Sequence, residues 1–281
     1  MSHLTNYGLS EALLNNLLVY LKDSSARVRH QAVVGFEKTG MPSYATNLEP
    51  LLNDSIRQVR IAAARYFTML NIPMIENTPF DQAQQEYVTA LDVNADFAGG
   101  QHQIALYHQA KGNIDLAIEA NRKSVKFDNY YNQSKMNLAF LLYQTGKIDE
   151  TETLYLDVIK QEPDFSYAHY MLGLLYHELG NTTKAKQYLL SATTAQPPNE
   201  NAFYNYSLIL QQEGALQEAI DFLNHALVTF PNSERLLYAK LVAELNSEQP
   251  DLAKTTLSKL IELSPTNNEY QQLYNNLQTS Q

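Results

Sequence analysis

The sequence contains no cysteine and no tryptophan, and only ten glycines and ten prolines in 281 residues. Without thiols there is no disulfide framework, no thiolate zinc site, no iron–sulfur cluster and no covalent haem attachment. Charged residues make up 18%, against about a quarter in ordinary globular proteins. No apolar run reaches the roughly 18 residues of a membrane span, which predicts no transmembrane helix. The N-terminal stretch lacks a basic start followed by an apolar core, which predicts no signal peptide. The compartment is therefore open: cytoplasmic by default, periplasmic if the sequence is a piece of an exported protein. Few glycines and prolines favour long helices over many short strands. The formal charge of −10 leaves no basic stripe of the kind that binds nucleic acid. What is plentiful is tyrosine, with 19 residues, while asparagine and glutamine fill much of the charge deficit.

The scarce glycines are placed with regularity. Gly112, Gly146, Gly180 and Gly214 follow one another at intervals of 34 residues. Ala117, Thr151, Ala185 and Ala219 lie five positions after them, and Asn129, Pro163, Pro197 and Pro231 twelve beyond those. Extending the frame forward puts Glu248 in the glycine position, then Ala253 and Pro265; backward, it reaches Ala83, Tyr87 and Ala90. Each repeat reads as two amphipathic helices. The glycine ends the first in a left-handed conformation, the alanine sits where two helices approach, and the proline stops the second. With this period and these offsets, residues 79–267 resemble the tetratricopeptide repeat (TPR) superfamily. The third repeat is the cleanest, with Leu172, Gly173, Tyr176, Gly180, Ala185, Leu189, Ala192 and Pro197. The tryptophan of the signature is absent throughout, its place taken by Gln101, Lys135, His169, Phe203 and Leu237.

A shorter repeat precedes this array. Asp23, Val28, Arg29 and Ala32 recur as Asp54, Val59, Arg60 and Ala63, with Phe36 matched by Phe67, a period of 31. The pattern resembles short HEAT-like repeats. Each aspartate can accept hydrogen bonds from free N–H groups at a helix start. Val28/Ala32 and Val59/Ala63 belong to a buried stripe, and the arginines are expected to bond neighbouring aspartates or carbonyls rather than a ligand. The join at residues 71–79 is short and partly apolar. The prediction is an all-α, right-handed helical-repeat solenoid. HEAT-like repeats occupy 1–72, and a TPR array occupies 79–281 with a half repeat, five full repeats and a capping helix at 267–277. Tyr270, Leu273, Tyr274 and Leu277 form the apolar face of that cap.

No catalytic motif is visible: no phosphate loop, no dinucleotide fingerprint, no nucleophile elbow. His177-Glu178 begins a zinc-protease motif that lacks its second histidine. None of the seven histidines pairs with another at i, i+3 or i, i+4, so no helix offers a metal chelate. The expectation is a chain that is not an enzyme, with no catalytic residue, no metal and no cofactor.

The TPR resemblance implies that the first helix of each repeat lines a concave groove. On that frame the groove positions are His102, Met136, Asn137, Phe140, Tyr143, Tyr167, Tyr170, His177, Asn201, Tyr204, Asn205, Arg235 and Tyr238. The set is aromatic and amide-rich and carries one cation. Two readings stay open: tyrosines that pack between helices, or a ligand surface offering broad rigid area with hydroxyls. Asparagines there can pair with the backbone of an extended peptide. Asn137 and Asn205 are similar to members of the asparagine ladder of peptide-binding TPR proteins. The Lys/Arg set that lets chaperone-tail binders clamp a C-terminal carboxylate is absent apart from Arg235.

Charge divides unevenly, with seven basic and six acidic groups in residues 1–78 but 13 basic and 24 acidic in 79–281. HEAT-like repeats leading into TPRs also resemble the C-terminal half of bacterial TPR-containing multihaem cytochromes c, whose haem-binding motifs lie upstream. This sequence has none, so a resemblance of that kind implies a fragment or a haemless relative. The expected function is a protein- or peptide-binding scaffold that contacts no nucleic acid and is of undefined oligomeric state. The alternative is an accessory module of a redox enzyme.

Overall fold

The computed structural model describes residues 11–73 and 79–279, and every regular element among them is helical. Residues 74–78 of the predicted join lie outside that range. Packing divides the chain into two compact units, Met1–Lys147 and Ile148–Gln281. The boundary expected near residue 72 falls inside the first of these units.

The N-terminal unit contains α1 (Glu11–Tyr20), α2 (Ala26–Thr39), the single turn α3 (Ala45–Leu48), α4 (Arg57–Met69), α5 (Pro79–Val93), α6 (Ala98–Ala110), α7 (Ile114–Phe127) and α8 (Asn132–Gln144). Its first core joins Ala32, Val33, Phe36, Val59, Ala63 and Phe67 with Ala83 and Tyr87. Both halves of the 31-residue repeat and the helix after them thus share one interior, while Val28 is half-buried. The repeated arginines bond neighbours, as the pattern predicts. Arg29 donates to both oxygens of Asp54, at 2.7 and 2.9 Å, and to the carbonyl of Asp23. Arg60 does the same one repeat later, to both oxygens of Glu86 and to the carbonyl of Asp54. The Arg29 guanidinium holds the Asp54 carboxyl below the usual carboxylate range. The aspartates accept just ahead of the helices: Asp23 takes the N–H of Ser25, and Asp54 that of Ile56. Each shapes the turn into its helix, and both Asp54 oxygens also accept from Arg29 of the preceding repeat.

The C-terminal unit contains α9 (Ile148–Gln161), α10 (Ser166–Glu178), α11 (Thr182–Thr194), α12 (Glu200–Gln212), α13 (Leu216–Thr229), α14 (Glu234–Asn246), α15 (Pro250–Leu263) and α16 (Asn268–Thr279). Three helix starts are fixed by side-chain caps: Asn181, Asn199 and Ser233 accept from the N–H three positions on. Helix ends follow the 34-residue frame. After α10 and α12 the chain turns at Gly180 (φ 73°) and Gly214 (φ 77°), closed by Asn181 N–H to Tyr176 C=O and Ala215 N–H to Leu210 C=O. In between, Ala185, Leu189, Ala192, Ala219, Leu223 and Ala226 are buried. All five of the tryptophan positions, Gln101, Lys135, His169, Phe203 and Leu237, are buried too, so that slot is interior whatever fills it. Tyr270, Leu273, Tyr274 and Leu277 of α16 close the core built by Leu237, Leu241, Leu257 and Leu260, which is the capping role read from the sequence.

Glu248 holds the glycine position after α14 and adopts the same left-handed conformation, with φ 57° and the same closing bond from Gln249 N–H to Glu244 C=O. A β-carbon there costs about 1–2 kcal/mol, part of which glycine returns by loosening the unfolded chain. Glu248→Gly should raise stability by about 0.5–1 kcal/mol. Urea unfolding measures it, and an unchanged or lower midpoint would contradict the account.

Candidate functional site

The expected groove residues fall into two groups that belong to different units. His102, Met136, Asn137, Phe140 and Tyr143 lie in the N-terminal unit. His102 and Met136 are interior there, each 9% exposed. The His102 ring sits edge-on to Tyr131 at 5.6 Å, with Nδ1 3.3 Å from the Asn121 amide oxygen, and burial lowers its pKa. As with Tyr170 in the other unit, little of either side chain reaches the surface. Asn137, Phe140 and Tyr143 are half-buried.

The C-terminal unit brings the remaining candidates, apart from the separately exposed His177, onto one face of α10, α12 and α14. Helix periodicity puts Tyr167 and Tyr170 a turn apart on α10, with ring centroids 6.3 Å apart. On α12, Asn201, Tyr204 and Asn205 share a side by the i, i+3, i+4 rule. The Asn205 amide nitrogen donates to the Tyr170 hydroxyl at 3.4 Å and to the Asn201 carbonyl at 2.9 Å. On α14, Arg235 donates to the Asn201 side-chain oxygen and lies over the Tyr204 ring, 5.0 Å from its centroid. The Arg235–Asn201 bond links the same position of successive repeats, so the 34-residue period appears here as a contact.

Depth separates the tyrosines. Tyr170 is 6% exposed while Tyr238 is 49% exposed. Burial raises the Tyr170 pKa and the neighbouring Arg235 charge partly offsets it; burial raises that of Tyr167 as well. Both hydroxyls therefore stay protonated at neutral pH and can donate. The Tyr170 ring is interior, and its hydroxyl accepts from Asn205.

The face continues onto α16, which the groove frame omits. Tyr238 meets Tyr270 at 6.3 Å, and the Tyr270 hydroxyl donates to Glu234 at 2.8 Å, whose other oxygen accepts from Ser264 at 3.0 Å. Burial and the Glu234 bond push the Tyr270 pKa up to about 12. An unfolded tyrosine ionises near about 10, so the stability linked to this phenol is complete below that pH. It is lost as pH rises towards about 12, because the unfolded chain gives up its proton first. Absorbance titration should show one late-ionising phenol fewer in Tyr270→Phe; an unaltered alkaline limb would contradict the assignment.

Among the described residues no group of three or more histidine, aspartate or glutamate side chains is arranged to hold a metal ion, and no helix is long and apolar enough to cross a membrane. The face offers hydroxyl and amide donors and acceptors, aromatic area and a cation, which suits recognition.

Residues 154–187 match the family model described as tetratricopeptide repeat. No curated protein matches the sequence. Among solved structures, PilF of Pseudomonas aeruginosa aligns with a TM-score of 0.55 at 20% identity, over 77% of this chain and 96% of its own. A structure of MamA aligns with a TM-score of 0.51 at 19% identity, over 62% of this chain and 94% of its own. A second MamA structure gives 0.50 at 20% identity, over 59% and 98%. These likenesses carry the fold alone, an all-helical repeat architecture, and the tetratricopeptide family model is matched over residues 154–187. They lend no support to the HEAT-like or the multihaem cytochrome resemblance.

Proposed function

We propose that this tetratricopeptide-repeat chain is a non-enzymatic scaffold whose C-terminal unit binds an extended segment of a partner protein across α10, α12 and α14. Tetratricopeptide repeats in other proteins bind proteins and peptides. The observation that carries the reading here is the alignment of Tyr170, Asn201, Tyr204, Asn205 and Arg235 through mutual contacts on one face. Stiff aromatic area loses little entropy on binding, and the asparagine amides reach a peptide backbone whatever its sequence. A segment lying along the face would exclude water from Tyr204 and the half-exposed Tyr238, where most binding energy concentrates in interfaces of this type.

Site-specific photo-cross-linking tests the proposal. A photoreactive residue at Tyr238 should cross-link to the captured partner, whereas the same group at Val228, an exposed residue of α13, should not. Cross-linking at 228 and none at 238 would move the binding surface elsewhere.

A further inference from the structure

We infer that the N-terminal unit carries a docking surface for a basic segment of a partner protein, at the edge formed by the α5–α6 and α7–α8 turns. This edge belongs to the other unit from the face of α10, α12 and α14, and the inference does not depend on the reading of that face.

Among the described residues seven large apolar side chains are more than half exposed, and four of them, Val93, Phe97, Phe127 and Tyr130, belong to these two turns. Val93 ends α5, Phe97 precedes α6, Phe127 ends α7 and Tyr130 precedes α8. Hydroxyl bonds draw the turns together. Ser134 of α8 donates to the Ser124 hydroxyl of α7 at 2.7 Å, and Ser124 donates to the Ala98 carbonyl of α6 at 2.7 Å. A β-carbon on Gly99 would stand 3.1 Å from the Phe97 ring and 3.5 Å from the Tyr131 hydroxyl, so the two turns adjoin. Single exposed apolar residues are ordinary, whereas a group of them marks an interaction surface.

Both turns are also held in shape. The Gln101 side chain donates to the Ala95 carbonyl at 2.6 Å. The Asn94 carbonyl oxygen approaches α6 so closely that a β-carbon on Gly100 would stand 1.5 Å from it. In the second turn the Asp128 side chain accepts from the Tyr130 N–H at 2.8 Å. Rings presented on ordered turns lose little freedom on binding.

Charge selects the occupant. Asp92, Asp96 and Asp128 are exposed in these turns, against one exposed cation, Lys126. Arg122 and Lys123 lie farther back along α7, where Lys123 pairs with Glu119 at 2.8 Å. A segment with lysine or arginine beside aliphatic or aromatic side chains complements both the acids and the apolar group. A second copy of the chain would bring the same three acids against them, and an anionic membrane would meet them with its own negative charge.

Random peptides displayed on phage, selected on the full chain and counter-selected on Phe97→Ser/Phe127→Ser/Tyr130→Ser, supply the probe. The replaced side chains are exposed, so the variant should keep the natural melting temperature; Tyr130→Ser alone serves if it does not. Peptides that the variant fails to bind should combine lysine or arginine with apolar residues. Their binding should fall about tenfold in Asp92→Asn/Asp96→Asn/Asp128→Asn, which leaves an amide oxygen to accept from the Tyr130 N–H. It should weaken with salt on the natural chain and be unchanged in Tyr204→Ala. Peptides with no excess of basic residues, or equal binding to the amide variant, would overturn the charge assignment. If the serine variant retains every selected peptide, or Tyr204→Ala loses them, the edge is not their docking surface. A dimer in sedimentation that the serine variant abolishes would make a second copy the occupant and overturn the inference. So would flotation of the natural chain, but not of that variant, with phosphatidylglycerol vesicles.

Discussion

Gly173→Val is expected to destabilise the C-terminal unit by about 3 kcal/mol. Gly173 lies within α10 and is buried against α11. A β-carbon built on it would stand 2.8 Å from Leu189 Cγ and 3.1 Å from the Leu189 backbone nitrogen. The side-chain contact could be relieved by a rotamer change, but the backbone contact requires the two helices to separate. Alanine meets the same contact with no further atoms and gains about 1 kcal/mol in helix propensity, so Gly173→Ala should cost on the order of 1 kcal/mol. Valine adds two methyl groups with nowhere to go. Chemical denaturation of the series gives the answer, and equal midpoints for glycine, alanine and valine would mean that α10 and α11 do not pack this closely. Because α10 carries Tyr167 and Tyr170, the valine variant should also bind its partner segment less tightly than the alanine variant.

The second large effect concerns recognition. Replacing Tyr170 and Tyr204 together with alanine should weaken binding of the partner segment by about a hundredfold or more, as expected when two aromatic anchors are removed. Tyr204 contributes ring area and the surface on which Arg235 lies; Tyr170 contributes a buried ring and a hydroxyl bonded to Asn205. Truncating Tyr170 also leaves a cavity, so part of its effect is structural. Tyr170→Phe separates the two, keeping the ring and removing the hydroxyl; it should fold normally and bind several-fold less tightly. Titration calorimetry on variants whose helical content and melting are first checked would read these effects. A double variant that folds and binds like the natural chain would exclude this face.

Much of the architecture was legible because it depends on residues with few conformational alternatives. The glycine interval located the ends of α6, α8, α10 and α12, and each of Gly112, Gly146, Gly180 and Gly214 has positive φ, as the pattern requires. Glu248 shows that the backbone conformation belongs to the position in the fold, the residue being merely more or less suited to it. The arginine and aspartate repeat foretold the Arg29–Asp54 pair because such an arginine, half-buried beside an acid, has few other ways to satisfy its donors.

The sequence indicates the helix face each candidate occupies and says less about its depth. A 3.6-residue period says which side of a helix a tyrosine occupies, not how much neighbouring chain covers it. Tyr170 and Tyr238 hold the same repeat position and differ widely in exposure. The same limitation placed His102 and Met136 on an open surface when neighbouring side chains enclose them. Tyr270 and Glu234 went unnoticed as part of the face because their bond spans 36 residues and leaves the 34-residue frame. A tyrosine one turn from a helix start, facing an acid in the first turn of an earlier helix, was the available signal.

The central claim is that an extended segment lies along α10, α12 and α14 of the C-terminal unit. A crystal structure of the chain with its captured segment tests this most directly. The account predicts the segment's backbone against Asn201 and Asn205 and its side chains on Tyr204 and Tyr238. A segment seated on α11 and α13, or on the N-terminal unit with this face bare, would contradict it.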